Sequence, residues 1–154
     1  MLASEFVEVE EQIAGFIAKF APAMQERIRG CRARMQALFP DAAQLVYDNY
    51  NFFVIGFGPT ERASDAIFSL ASHRNGVTLC FLQRGPDLPD PTGILRGSGK
   101  VVRNIALAGP EDLDRDDIAV LVDAALALAR VPMEDSVGPR VIVKSVSAKQ
   151  RPRR

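Results

Sequence analysis

The stretch FPDAAQLVYDNYNFFVIGFG, Phe39 to Gly58, decides the fold, because within it a helical repeat gives way to extended segments. Phe39-Pro40-Asp41 ends a helix-forming region. Leu45–Asn49 and Phe52–Phe57 then read as two short strands, the second rich in aromatic and β-branched residues. Gly58-Pro59 is a turn signal. Upstream, Phe6, Val9, Ile13, Phe16, Ile17 and Phe20 recur at helical spacing, which predicts a helix over Ser4–Phe20 with Ser4 as its cap. Glu5, Glu8 and Glu11 lie in its first turns, where the helix dipole favours anions. Pro22 suits a first-turn position and opens a second helix reaching about Leu38, with the stripe Met24, Ile28, Cys31, Met35 and Leu38. Arg27, Arg29, Arg32 and Arg34 fall on its other faces, so the two helices form a hairpin of complementary charge.

Downstream of Phe39–Gly58 the strand signals continue. Ala66–Ser72 and Val77–Leu82 are joined through His73-Arg74-Asn75-Gly76, where Asn-Gly supports a hairpin. GPDLPDPTG, Gly85 to Gly93, has three prolines in nine residues and reads as an ordered surface loop. Gly97-Ser98-Gly99 is a further tight turn before a strand over Val101–Leu107. Asp114 can cap a last helix, Arg115 to about Arg130, with Ile118, Leu121, Val122, Ala125 and Leu128 inward. Gly138-Pro139 precedes a short strand, Val141–Val146. Two helices, a run of strands and a helix make an α+β domain, not an alternating βαβ chain. The expected architecture is an antiparallel sheet of about five strands, with the N-terminal hairpin and the C-terminal helix on one face. Residues 1–146 form the domain and 147–154 a basic tail.

The 154 residues are 47% hydrophobic and 25% charged, which suits one globular domain and excludes a disordered, collagen-like or polytopic membrane chain. No apolar run approaches the roughly 18–20 residues that span a bilayer. The acids of MLASEFVEVEEQ stand where a signal peptide needs basic residues, so the expected location is cytoplasmic. Cys31 and Cys80 are isolated and read as reduced, buried thiols. Nineteen bases balance nineteen acids, but six bases and no acid lie from Arg140 onward, leaving the remainder at a formal −6. Such a tail can stay solvated or dock on nucleic acid or on an acidic surface, its own included.

Several motifs invite chemistry. Gly93-Ile94-Leu95-Arg96-Gly97-Ser98-Gly99-Lys100 resembles a phosphate loop, but Ile94 stands where its first glycine belongs and Val101 where Ser or Thr is needed. Turn amides with Lys100 and Arg103 could still hold a small anion, although strand parity points those two bases to opposite faces. Asp112, Asp114 and Asp116 mimic the start of a calcium loop, but Asp117 replaces its glycine, and capping explains these acids. His73 is the only imidazole. Ser69 and Ser72 are near it in sequence, without an orienting third group, so it reads as an exposed turn histidine. Tyr47-Asp48-Asn49-Tyr50-Asn51-Phe52-Phe53 places four aromatics in seven residues, and they line either a ligand cleft or the core.

The stretch GVTLCFLQRGPDLPDPTGILRGSGKVVRNIAL, Gly76 to Leu107, resembles the YdhG-like domain-of-unknown-function family. The helical N-terminus, the FPDA turn at Phe39–Ala42 and the terminal VIVKSVSAKQRPRR are also similar to members, so the likeness covers nearly the whole chain. It implies a small α-β sandwich, distantly frataxin-like, in a bacterial-type cytoplasmic protein. One branch is described as an iron chaperone. That role would require Glu5, Glu8, Glu11 and Asp112 as oxygen ligands, which would hold Fe²⁺ loosely.

The function expected from these readings is a non-enzymatic binding or interaction domain for a small anionic ligand or a protein partner, with a homodimer left open and no membrane partner. Its ligand-binding residues are expected to be Tyr47, Asn49, Tyr50, His73, Asp90, Lys100 and Arg103. No cofactor is expected, except iron under the chaperone alternative. Nucleic-acid association through the tail is a further alternative. No nucleophile with an identifiable base points to an enzyme.

Overall fold

The structure, a computed structural model, describes residues 3–154. Helix α1 spans Ala3–Ile17 and α2 spans Pro22–Leu38. Five strands follow, β1 Ala43–Asp48, β2 Phe53–Gly58, β3 Phe68–His73, β4 Gly76–Phe81 and β5 Arg103–Leu107. Helix α3, Asp116–Leu128, then leads to β6, Arg140–Val146. The fold is α+β, but the sheet has six strands in the order β5-β4-β3-β2-β1-β6 and is mixed. The first five strands are an antiparallel meander, as expected. The sixth runs parallel to β1. Its direction follows from the return path: α3 carries the chain back to the end of the sheet where β1 begins. There the Val137 N–H donates to the Pro59 carbonyl and the Ser136 hydroxyl to that of Asp41. The strand therefore enters with Arg140 beside Ala43 and runs the way β1 runs.

Alternation along the strands places Val46, Phe53, Ile55, Phe57, Phe68, Leu70, Leu79, Phe81 and Ile105 on one face. Ile13, Phe16, Ile17 and Phe20 of the α1 segment, Ile28, Cys31 and Met35 of α2, and Ile118, Leu121 and Ala125 of α3 meet them there. The helical stripes are thus read correctly, except at their ends: Phe6 and Leu38 are exposed. The charge-complementary hairpin is present as a two-pronged ion pair, Arg32 Nη1 and Nη2 to the Glu10 carboxylate at 2.7 and 2.8 Å. Arg32 is not on an outer face. It is buried, and its Nε donates to Gln44 on β1.

Both expected caps fail. Ser4 lies inside α1, and α3 follows Arg115 with no side-chain cap, because Asp114 is drawn away to Arg34 at 2.6 Å. Of the other acids there, Asp112 accepts the Ala108 N–H and Asp117 pairs with Arg115. Arg115 in turn holds the Asp117 carboxyl below the usual carboxylate range. Cys31 is buried and Cys80 half-buried, both as free thiols. Among the described residues no helix is long and apolar enough to cross a membrane.

Candidate functional site

The expected site residues fall into two groups at opposite ends of the sheet. Lys100 and Arg103 belong to the end where β4 stops at Phe81, and Tyr47, Asn49, Tyr50 and His73 to the end where β1 stops at Asp48. They do not form one surface.

At the first end, β5 begins at Arg103, two residues later than expected, because Arg96 and Asn104 close the Gly97–Gly99 turn with paired backbone bonds of 2.8 and 2.9 Å. Lys100 is therefore in a bend, and strand parity does not govern it. Arg103 folds back to donate to the carbonyls of Gly99 and Val102, which spends it on the loop. Asp90 is likewise structural: its two carboxylate oxygens accept the N–H groups of Ile94 and Leu95, both at 2.9 Å, and so brace the proline-rich loop.

Between this loop and the end of α3 lies a cleft of about 700 Å³, walled by Leu82, Pro86, Val101 and Leu128 and rimmed by Arg84, Lys100 and Arg130. Asp87 is the acid on its lining. Arg84 takes a left-handed backbone conformation, φ 48°, the sole non-glycine residue described to do so. This conformation costs a residue with a Cβ about 1–2 kcal/mol. What imposes it is Gly85, whose N–H donates to the Val101 carbonyl at 2.7 Å and whose α-carbon faces Arg103 so closely that a Cβ would collide. The Arg84 guanidinium reaches Asp87 at 3.0 Å, an exposed pair worth little in water. Arg130 is fixed more firmly. Its backbone N–H donates to Gln83, and its guanidinium donates to the Ser64 carbonyl and to Asp65, a buried carboxylate whose other oxygen accepts the Thr60 hydroxyl. Lys100 has no ion-pair or hydrogen-bond partner among the described residues.

At the second end, Asp48 is fully buried. Lys19 reaches its Oδ2 at 2.6 Å and Arg153 its Oδ1 at 3.0 Å. The Asp48 carbonyl accepts from the Ser147 N–H at 2.8 Å and the Gln150 amide at 2.9 Å, and the Arg151 N–H donates to the Tyr50 carbonyl. The tail is thereby strapped across the sheet end, docked on its own domain. Arg153 is 3% exposed, lies 5.7 Å from the Phe20 ring centroid, and donates to the Asn49 carbonyl. Its Nε and Nη1 are buried without hydrogen-bond partners, and the ring face partly offsets that loss. Asn49 accepts from the Ser145 hydroxyl. Tyr47 is half-buried on the sheet face away from the helices, where burial pushes its phenol up.

Tyr50 and Phe52 remain on the surface at the β1–β2 turn. His73 meets Phe52 edge-on at 5.7 Å, and its Nδ1 accepts the Asn75 N–H. Ser72 lies on the helix face and His73 on the other, while Ser69 shares the His73 face but sits four residues back along β3, so no serine–histidine pair forms. Among the described residues no three His, Cys, Asp or Glu side chains come together to hold a metal ion; Glu5, Glu8, Glu11 and Asp112 form no cage.

Sequence reading missed Arg84, Arg130 and Asp48. The QRGPD run beside the prolines is the one local sign of Arg84. Nothing links residues 83–87 with 130, or 48 with 153, before the chain folds. No protein-family model matches this chain, and neither a curated protein nor a solved structure matches it.

Proposed function

We propose that this chain is a cytoplasmic binding domain, in keeping with its YdhG-like resemblance, and that its ligand is a small organic anion held in the Arg84–Lys100–Arg130 cleft. The observation that carries the reading is Lys100, a cation without a counter-ion among the described residues, on the rim of a cleft that two arginines share. Arg84 and Arg130 offer planar forks suited to carboxylate or phosphate, and Lys100 a point charge. Leu82, Val101 and Leu128 suit an apolar body attached to the anionic head. The non-glycine left-handed residue at the rim supports the same place, since backbone strain of this kind clusters where a site must be preshaped.

The experiment is a thermal-shift screen of small carboxylates and phosphate esters against the full chain and Lys100→Ala. A ligand at about a hundred times its Kd stabilises by roughly 2.7 kcal/mol. That is about 5–10 °C for a domain of this length. The expected result is a shift that Lys100→Ala abolishes while the unliganded melting temperature stays within about a degree, because the exposed lysine has no ion pair or hydrogen bond among the described residues to lose. A flat screen, or a shift indifferent to Lys100, overturns the reading.

A further inference from the structure

At the end of the sheet opposite that cleft, the structure places aromatic faces and unpaired cations side by side. Tyr50 is 49% exposed and Phe52 42%, both on the turn that leads into the buried Phe53. The Arg151 guanidinium lies 5.6 Å from the Tyr50 ring centroid. Phe52, His73 and Arg74 border a recess of about 270 Å³, closed on the other side by Arg151 and Pro152, and no carboxylate lines it. Arg74 and Lys149 are exposed and have no acidic partner among the described residues. Asp48, strapped beneath this end, is fully buried and already shared by Lys19 and Arg153.

We propose that this surface binds single-stranded nucleic acid, with bases stacked on Tyr50 and Phe52 and phosphates on Arg74, Lys149 and Arg151. Stacking platforms beside a positive track are what unpaired strands require, because each base presents a free π-face. A duplex hides those faces, and an acidic peptide would be served by the cations without the rings. The docked strap is essential to the arrangement. It holds Arg151 against Tyr50 through the Arg151 N–H to Tyr50 carbonyl bond, where a loose tail would offer charge alone.

The test is fluorescence anisotropy of the full chain with a labelled oligothymidylate of about twelve nucleotides. Duplex of the same length and polyglutamate serve as competitors. Three phosphate contacts predict a log–log salt slope of about −2, a roughly 20-fold loss between about 50 and 200 mM salt. Tyr50→Ala and Phe52→Ala should each weaken binding at least about fivefold at unchanged slope, with Tyr50→Phe restoring it. Arg74→Ala and Lys149→Ala should each make the slope shallower by about 0.7. All four positions are exposed, and unchanged melting curves will verify folding. The proposal is overturned if the strand does not bind at low salt. It also fails if duplex or polyglutamate competes as well as the strand, or if the aromatic variants bind like the parent.

Discussion

Replacing Asp48 by Asn keeps the shape of the side chain and removes the charge on which the strap converges. The two ion pairs are unequal. Lys19 is 41% exposed and can turn into water, so its pair contributes little. Arg153 is 3% exposed and loses its only carboxylate, while its Nε and Nη1 are unpartnered already. Breaking a buried pair by neutralising one partner costs about 3–5 kcal/mol. Here the loss has a ceiling, because Arg153 is near the end of the strap and can leave with it. Undocking gives up the bonds of Ser147, Gln150, Arg151 and Arg154 to the domain, each worth about 1 kcal/mol net. The expectation for Asp48→Asn is therefore a destabilisation of about 3–4 kcal/mol in urea unfolding, with amide exchange in residues 147–154 rising to that of a free chain. Arg153→Met leaves Asp48 with Lys19 and puts an apolar side chain against Phe20, so it should cost less than half as much. Combined with Asp48→Asn it should recover part of the loss. If Asp48→Asn costs under about 1 kcal/mol and the strap keeps its protection, the charge is not what docks the tail, and the reasoning is refuted.

Two further outcomes test the remainder of the fold. At Gly85 an added Cβ would lie 2.7 Å from the Val101 carbonyl oxygen and 2.9 Å from the Arg103 nitrogen, backbone atoms that cannot yield. Gly85→Ala should therefore cost about 2–3 kcal/mol, whereas Gly99→Ala, with open space around it, should be nearly neutral by urea unfolding; equal effects at both sites would sink this account. Burial pushes the Cys31 thiol up to about 11 from an ordinary value of 9.0. The folded thiol then keeps its proton where the unfolded one loses it, so stability should fall as pH rises from 9 to 11, by on the order of 2 kcal/mol. Cys31→Ala should flatten that slope, and an unchanged slope would assign the loss to other groups.

The sequence alone determined where the elements lie, because those decisions are local. The apolar positions of α2 and α3, the switch after Phe39 and the turn at His73–Gly76 each depend on neighbours a few residues away, and all but the terminal Leu38 appear where the pattern puts them. It also implied the pairing of an acidic with a basic helix, which became Glu10 and Arg32. The tertiary structure decided the rest. The parallel entry of β6 depends on where α3 delivers the chain, and the first strands contain no record of that. Arg84, Lys100 and Arg130 share a cleft because β4, the proline-rich loop and the end of α3 converge. Asp48 lies 105 residues from Arg153, and their attraction acquires meaning only after burial removes the water that would otherwise screen it.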